Sequence, residues 1–223
     1  MRIVSWNCCG KMREKFVLLQ EFNADIHVIQ ECENPAMANN TAYKKFADNY
    51  LWQGDKPGKG LAILAKPNIE MEKLQWDNHL LRHFIPARIN KDFILLAVWA
   101  CRPYIEEYAV YQDIHYDMYD NNMIIVGDFN SNKIWDSKRA EYRSHSSVVE
   151  KLSQKGLHSA YHFSTNEDSG EEGTGTFYLY RNKDKGYHID YCFIDPHRIK
   201  GFAILDRDFW LKHSDHIPIV LDI

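Results

Sequence analysis

Short apolar runs with high β propensity recur along the whole chain, and polar turns separate them. Such runs predict strands, and several of them, Phe93 to Ala100 in particular, are apolar at both alternating positions, which predicts a sheet covered on both faces. The predicted strands are Arg2 to Asn7, Ile26 to Gln30, Gly60 to Ala65, His83 to Ile89, Phe93 to Ala100, Met123 to Val126, His188 to Ile194, Gly201 to Leu205 and Ile217 to Ile223.

Helical spacing of apolar residues appears between some of these strands. It predicts helices over Lys11 to Phe22, Ile105 to Tyr119 and Ser146 to Lys155. The pattern therefore predicts an α+β protein built as a layered sandwich. Because no repeat, low-complexity tract or linker divides the sequence, we expect one domain over residues 1–223.

Composition narrows the class of protein. Hydrophobic residues make up 45% of the chain, which is enough for a large core. The longest apolar stretch, Phe93 to Cys101, is much shorter than the roughly 18 to 20 residues that cross a bilayer, so we expect no membrane span.

The first residues are strand-like and not a secretion signal, which predicts a cytoplasmic location. The 5 cysteines form no CxxC pair, which argues against a disulfide scaffold or a structural zinc site.

Charge gives weaker guidance about partners. The chain has 27 basic and 31 acidic residues, a formal net charge of −4, and so lacks the positive field usual in non-specific nucleic-acid binders. A phosphate ligand would have to be met locally by a few basic residues or by a metal ion. The acidic segment Asn166 to Gly175 is expected to be a mobile, solvated loop.

Polar side chains stand where several predicted strands end or begin. Three strands end at Asn7, at Glu31, and at Asp128 followed by Asn130, and two others open with Asp190 and with Asp215 followed by His216. If the last two strands run antiparallel to the first three, all these termini lie along one edge of the sheet.

Such a cluster of carboxylates repels itself unless a cation lies within it. Carboxylate and amide oxygens without thiolates favour magnesium or manganese, whose bound waters a phosphate can replace. Taken singly, each residue also has a structural interpretation. Gly127 to Asn130 suits a turn, Ser214 to His216 a loop cap, Asn7 a strand end and Glu31 an exposed ion pair. Only the joint pattern predicts a metal site that handles phosphate esters.

The combination of motifs resembles the endonuclease/exonuclease/phosphatase superfamily, which includes deoxyribonuclease I, exonuclease III and the inositol polyphosphate 5-phosphatases. The motifs occur in that family's order, from Asn7 to His216. They are Ser5-Trp6-Asn7, Ile29-Gln30-Glu31, Gly60-Leu61-Ala62-Ile63-Leu64, Val126-Gly127-Asp128-Phe129-Asn130, His188-Ile189-Asp190-Tyr191 and Ser214-Asp215-His216-Ile217-Pro218. The resemblance implies a four-layer α/β/β/α sandwich with the site at one edge of two packed mixed sheets.

The resemblance also implies a Mg²⁺ or Mn²⁺ site. Glu31 would be a metal ligand, and Asn7 and Asp215 would complete or support the site.

A hydrolytic role is implied for the other motif residues. Asp128 would hold or deprotonate the attacking water, and Asn130 would orient that water or a phosphoryl oxygen. His216, oriented by Asp190, would hydrogen-bond the non-bridging oxygens. His188 stands where nucleases of the family tend to carry arginine, and is a candidate phosphate contact.

The chain departs from the exonuclease III pattern at several positions. Cys8-Cys9-Gly10 replaces a segment that usually carries Asp or Asn, and Glu33 stands where lysine is usual. Cys101 stands where that branch has a tyrosine near the leaving group. Deoxyribonuclease I would place a histidine in that region, and none lies between His83 and His115. The leaving-group acid is therefore unidentified from the sequence.

Three functions fit these residues. The first is a divalent-metal-dependent nuclease that hydrolyses phosphodiester bonds of DNA or RNA. The second is a phosphatase or phosphodiesterase acting on a small phosphorylated molecule such as an inositol phosphate, a lipid head group or a nucleotide. The third is a non-catalytic member that binds nucleic acid or a partner.

Overall fold

The computed structural model describes residues 1–223, with strands and helices alternating along the chain. The strands are β1 (Arg2–Asn7), β2 (Ile26–Cys32), β3 (Asn49–Lys56), β4 (Lys59–Ala65), β5 (Met71–Lys73), β6 (Phe84–Ile89), β7 (Phe93–Trp99), β8 (Ile124–Asp128), β9 (His158–Ser159), β10 (Phe177–Tyr178), β11 (Gly186–Tyr187), β12 (Asp190–Ile194), β13 (Gly201–Ile204) and β14 (Ile219–Asp222). The helices are α1 (Met12–Lys15), α2 (Val17–Gln20), α3 (Thr41–Phe46), α4 (Ile105–His115), α5 (His145–Gln154), α6 (Ala160–Thr165) and α7 (Arg207–Trp210).

The strands form two six-stranded sheets and a two-stranded ribbon. The first sheet has the order β13-β14-β1-β2-β4-β3, and the second has the order β5-β6-β7-β8-β12-β9. Each sheet has one parallel pair, β1 with β2 and β7 with β8, and its other pairs are antiparallel. Both sheets are therefore mixed. The ribbon pairs β10 with β11.

Three apolar layers hold the sheets and helices together. The layer between the sheets includes Ile3 and Val28 from the first sheet and Val126 from the second. A second layer covers the outer face of the first sheet, and a third covers the outer face of the second sheet with residues from α4 and α5. In β1, Ile3 and Val4 point to opposite faces and both are buried. The predicted four-layer α/β/β/α sandwich and the predicted two-sided burial are confirmed.

Some elements differ from the sequence-based expectation. The helix expected over Lys11 to Phe22 is two short helices, because Phe16 interrupts it and the amide of Leu19 bonds to the carbonyl oxygen of Phe16, three residues back. The edge strand β3 was missed. All of its residues are at least partly exposed, so it carries no clear alternation of buried and exposed positions.

The acidic segment Asn166 to Gly175 is anchored, so the expectation of a solvated loop was wrong for its central carboxylate. The side chain of Glu172 is 5% exposed. Its Oε1 accepts hydrogen bonds from Asn132 Nδ2 at 3.0 Å, from the amide of Gly170 at 3.0 Å and from His162 Nε2 at 3.1 Å. These bonds give the buried charge the partners that it needs.

The cysteines remain unpaired thiols, as the sequence predicts. Cys8, Cys32 and Cys192 are buried, whereas Cys9 is exposed and Cys101 is half-buried.

None of the helices combines the length and the apolar character that crossing a bilayer requires.

Gly127 marks a close approach of two strands in the second sheet. Its φ is 149°, and a Cβ atom at this position would lie 1.9 Å from the carbonyl oxygen of Val98. We expect Gly127→Ala to lower the free energy of unfolding by about 2–4 kcal/mol, because both strain and overlap oppose the methyl group. Urea denaturation followed by circular dichroism measures this change.

The matched control is Gly58→Ala, at an exposed turn where a Cβ atom would meet nothing within 4 Å. Its effect should stay within about 0.5 kcal/mol. Equal stability of the two variants would show that β7 and β8 do not approach this closely.

Candidate active site

Two sheets meet at the predicted site. In the second sheet, antiparallel pairing of β8 with β12 places Asp128 directly opposite Asp190. From the first sheet, Asn7 Nδ2 donates a hydrogen bond to Asp128 Oδ2 at 3.0 Å. The pattern of residues alone suggested that all these strands end at one edge of a single sheet. That interpretation was wrong, because the strands belong to two sheets whose edges lie together.

The carboxylate of Asp128 is completely buried and saturated with donors. Its Oδ1 accepts from the amide of Asn130 at 2.8 Å, and its Oδ2 accepts from Asn130 Nδ2 at 3.0 Å as well as from Asn7. Asn130 reaches both oxygens because its backbone turns back with a φ of 47°. Burial raises the pKa of Asp128 to about 7, although His216 and the hydrogen bonds oppose this rise. A carboxylate whose pKa lies near neutrality suits a general base.

His216 lies between two carboxylates. Its Nδ1 donates to Asp190 Oδ2 at 2.9 Å, and its Nε2 lies 4.0 Å from Asp128 Oδ2. Burial alone would lower the pKa of His216, but the charges of Asp190 and Asp128 outweigh it and raise the pKa to about 10. The ring is therefore an imidazolium at neutral pH.

The backbone around His216 is tied to the end of β1. Ser214 Oγ donates to the carbonyl oxygen of Asn7 at 2.7 Å and accepts from the amide of His216 at 3.1 Å. Trp6 Nε1 donates to the carbonyl oxygen of His216 at 3.0 Å. The ring of Phe177, from the β10–β11 ribbon, lies 4.8 Å from the imidazole and helps to bury it. These contacts orient the imidazole before any substrate arrives.

Asp128, Asp190 and His216 form a buried cluster whose ligand atoms all lie within 4.8 Å of one another. Three such side chains can hold a metal ion. Here His216 already uses Nδ1 for Asp190 and carries a positive charge, which repels a cation. The cluster is therefore better suited to moving protons and binding anions than to holding a metal.

Glu31 lies on the neighbouring strand of the first sheet at a β-bulge between Gln30 and Cys32. Its φ of 62° turns the residue out of the strand conformation. Lys59 Nζ lies 3.0 Å from Glu31 Oε2, so an ammonium group already stands beside this carboxylate. A cation is thus accommodated at Glu31.

Asp215 directly precedes His216, and its charge acts on the same thiol as the charge of Glu31. Partial burial raises the pKa of the Cys9 thiol, and the charges of Asp215 and Glu31 raise it further. The amide of Cys9 also donates to Asn7 Oδ1 at 3.1 Å. The donors gathered here are carboxylate and amide oxygens, and the thiol stays protonated. This set fits a hard divalent cation such as Mg²⁺ or Mn²⁺.

His188 is not brought to this group. It is 2% exposed, its Nδ1 lies 3.2 Å from the carbonyl oxygen of Thr174, and its ring packs against Tyr161 and Tyr191 with centroids 4.3 and 4.8 Å away. This position does not favour the phosphate contact that the sequence suggested for His188.

Lys59 is a site residue that sequence reasoning missed. The lysine usual two residues after the glutamate is replaced by Glu33, which is buried and pairs with Arg13. Lys59 reaches Glu31 from β4 instead, and that contact depends on the bulged register of β2 with β4. No local motif encodes such a register.

The family comparison settles the class of this arrangement. A model of the Endonuclease/Exonuclease/phosphatase family matches residues 4–216. The chain belongs to this family. Members of the endonuclease/exonuclease/phosphatase family hydrolyse phosphate ester bonds, typically with a divalent metal ion, and the chain is a hydrolase of that class. A comparison with curated protein sequences gives no significant match.

Solved structures show the fold of this family. An AP endonuclease from Archaeoglobus fulgidus superposes with a TM-score of 0.74 and 16% identity, over 100% of this chain and 99% of that one. The 3'-5' exonuclease NExo from Neisseria meningitidis gives 0.70 and 18%, over 100% and 99%. The endonuclease domain of TRAS1, a telomere-specific non-LTR retrotransposon, gives 0.68 and 19%, over 100% and 97%. These likenesses establish a deoxyribonuclease I-like sandwich.

The charge of His216 should depend on Asp190. In Asp190→Asn we expect the pKa of His216 to fall by about one unit or more, because the neighbouring negative charge that favours the imidazolium is removed. A ¹⁵N–¹H NMR titration of the histidine rings measures this value. Asp195→Asn is the control, because Asp195 only caps a short turn and asparagine can also cap it. An unchanged pKa in Asp190→Asn would contradict the pairing.

Proposed function

We propose that the chain is a divalent-metal-dependent phosphodiesterase that hydrolyses nucleic acid. One observation carries this proposal: a buried carboxylate, Asp128, lies 4.0 Å from the His216 imidazolium, next to the oxygen donors around Glu31. In-line attack on phosphorus requires a base for the water and positive charge for the phosphoryl oxygens. The arrangement supplies both.

Asp128 is the proposed base. Its carboxylate would accept a proton from the attacking water, and the pKa of about 7 suits this transfer near neutral pH. Asn130 holds the carboxylate through its amide and side chain. It would orient the attacking water or a phosphoryl oxygen.

His216 is the proposed stabiliser of the developing charge. The 4.0 Å between its Nε2 and Asp128 Oδ2 is too long for a direct hydrogen bond, so Nε2 is free to donate to a phosphoryl oxygen. The hydrogen bond to Asp190 orients the ring and keeps it charged.

A metal ion would be held by Glu31 with Asn7 and Asp215, and we propose Mg²⁺ or Mn²⁺. When bound, the ion supplies positive charge that polarises the phosphoryl group. Lys59 balances the charge of Glu31 in the structure, and it would then be released to contact the substrate.

A groove beside the site favours a nucleic-acid strand over a compact phosphate ester. A cavity of about 630 Å³ is lined by Arg102, Tyr104, Trp135, Lys138 and Arg139, among others. Its first lining residue, Arg102, comes two positions after Ala100, whose amide donates to the carbonyl oxygen of Asp128 at 2.8 Å. Arg102 and Lys138 can contact the phosphate backbone, whereas Arg139 is paired with Glu106, which also lines the groove. The aromatic rings can stack against bases. The likeness to an AP endonuclease and an exonuclease agrees with such a substrate.

We further propose that residues 1–223 form one domain, because the layer between the sheets contains residues of both. The cytoplasmic location expected from the sequence stays a prediction.

Substrate profiling tests the function. The purified protein is incubated with Mg²⁺, Mn²⁺ or chelator and given single- and double-stranded DNA and RNA, an artificial phosphomonoester and inositol phosphates. Cleavage of oligonucleotides with no release of phosphate from the monoesters supports a nuclease. Turnover of inositol phosphates alone would support the small-molecule phosphatase, and binding of oligonucleotides without any turnover would support a non-catalytic member.

Asp128→Asn should lower kcat on an oligonucleotide by about 10² to 10⁴, because the amide cannot accept the water's proton. The replaced oxygen also loses acceptor bonds, so we expect the free energy of unfolding to fall by about 1–3 kcal/mol while the protein stays folded. Rates normalised to the folded fraction from circular dichroism give the comparison. Undiminished hydrolysis by the folded variant would remove Asp128 from the mechanism.

Chelation should abolish hydrolysis, and added Mg²⁺ or Mn²⁺ should restore it. In Glu31→Gln we expect the Mg²⁺ concentration for half-maximal rate to rise by about tenfold or more, because a charged ligand is replaced by a neutral one. Isothermal titration with Mg²⁺ gives a second readout without turnover. Glu21→Gln, an exposed position, serves as the control. Equal Mg²⁺ dependence in both variants would place the metal elsewhere.

A further inference from the structure

In-line displacement needs a proton donor on the side of the phosphorus atom opposite the attacking water. In the proposed mechanism Asp128 takes the proton of the water and His216 Nε2 donates to a phosphoryl oxygen, so neither role supplies a proton to the leaving oxygen. The expected tyrosine position holds Cys101. The structure contains a donor that no local motif indicates.

A row of side chains crosses the second sheet at the site. Register places Asp190 opposite Asp128, and Asp128 opposite Trp99. The row continues to His83, because Phe84 pairs with Val98 and the amide of Trp99 donates to the carbonyl oxygen of His83 at 3.1 Å. His83 and Asp128 are therefore two strands apart in one row.

The row faces the first sheet. The next row along the same strands consists of Ile85, Ala97, Val126 and Cys192, and all four belong to the apolar layer between the sheets. Residues two apart in a strand point to the same face. The side chains of Trp99 and Asp128 accordingly project towards the first sheet. His83 stands at a bend just before β6 with a φ of 59°, and its ring joins the row by packing against Trp99.

The spacing in this row suits the reaction. Two strand spacings amount to roughly 10 Å. An attacking oxygen in line with a phosphorus atom and its leaving oxygen, with one hydrogen bond at each end, spans about the same length. A phosphate placed over Trp99 would thus have Asp128 on one side and His83 on the other.

His83 is held in one orientation. It is 5% exposed, its ring packs against the ring of Trp99 with centroids 4.5 Å apart, and its Nδ1 lies 3.3 Å from Cys101 Sγ. Burial lowers the pKa of His83, and burial raises the pKa of Cys101 to about 12, so a neutral ring faces a neutral thiol. The thiol then donates to Nδ1, and the ring proton is on Nε2, which has no hydrogen-bond partner in the protein.

Cys101 is joined to the site by the backbone. Ala100 donates its amide to the carbonyl oxygen of Asp128 at 2.8 Å, and its own carbonyl oxygen accepts from Asn130 Nδ2 at 3.1 Å. The charged groups facing His83 are Asp55, Arg82 and Lys59. Lys59 Nζ pairs with Glu31 and lies 5.4 Å from the centroid of the Trp99 ring. Once a metal ion releases it, we expect its ammonium to contact a phosphoryl oxygen, and His83 remains the neutral donor on this side.

We propose that His83 is the leaving-group acid of the hydrolysis and that Cys101 is its positioning residue and proton source. This inference rests on the proposed function. As the bond between phosphorus and the leaving oxygen breaks, its electron pair stays on the oxygen, which takes the proton from His83 Nε2. His83 Nδ1 takes the proton of the Cys101 thiol, and solvent later reprotonates the thiolate.

The direction of this transfer is favourable. A thiol with a pKa of about 12 is a stronger acid than water, whose pKa is about 15.7, and alcohols resemble water in this respect. The proton therefore moves from the weaker base to the stronger one.

The test compares two leaving groups in the same full-length protein. The leaving group of an oligonucleotide is an alkoxide, which needs a proton. The leaving group of a p-nitrophenyl phosphodiester of a nucleoside is a stable phenolate, which needs none. We expect His83→Gln to lower kcat on the oligonucleotide by about 10² or more, but to change the p-nitrophenyl rate less than threefold. Cys101→Ala should show the same selectivity with a smaller loss of about tenfold.

Three controls separate the possible failures. His27→Gln changes another buried histidine, remote from the site and packed on Phe46, and should affect neither substrate. Asp128→Asn should lower the hydrolysis rate of both substrates, since both reactions need an activated water. Thermal melting confirms that every variant is folded.

The outcomes are distinct. Equal losses on the two substrates in folded His83→Gln, or no loss on either, would overturn the role of His83 while leaving the proposed function standing. Absence of wild-type turnover on both substrates would instead overturn the proposed function and this inference with it.

Discussion

The site depends on one electrostatic constraint: two carboxylates are buried at the line where the sheets meet, and they must be neutralised there. Asp128 and Asp190 face each other across β8 and β12, and both are buried. The imidazolium of His216 lies between them, and the two carboxylates raise its pKa. Removing His216 would leave two buried carboxylates without a neighbouring positive charge, which is costly. The chemistry and the stability of the edge therefore rest on the same contacts.

The register of strand pairing brings the site residues together, although they are far apart in the sequence. β8 carries Asp128 to the edge and Gly127 permits the close approach of β7, so the row through Trp99 and His83 has a defined spacing. The first sheet contributes Asn7 and Glu31 from its parallel pair β1 and β2. The apolar layer between the sheets contains residues of both sheets. The site residues of the first sheet therefore cannot shift relative to those of the second sheet without disrupting this core.

Strand ends were predictable from the sequence because an apolar run that stops at a polar residue shows both the strand and the position of its last side chain. Asn7, Asp128 and Asp190 were found in this way, and the structure brings them together. Lys59 and His83 could not be predicted in this way. The contact of Lys59 depends on the bulged pairing of β2 with β4, and that of His83 depends on the pairing of β6 with β7. The buried Glu172 was missed for a similar reason, since its partners lie on other segments.

The hydroxyl of Ser214 joins two segments that are 207 residues apart in the chain, since it bonds to the carbonyl oxygen of Asn7 and holds the amide of His216. Closing a loop of this length costs chain entropy, so the contact exists only where the packing of the sandwich compensates for that cost. The imidazole consequently reaches its place only when the rest of the sandwich has assembled. An incompletely folded chain carries every reactive group and yet has no competent centre, so hydrolytic capacity is gated by completion of the fold itself.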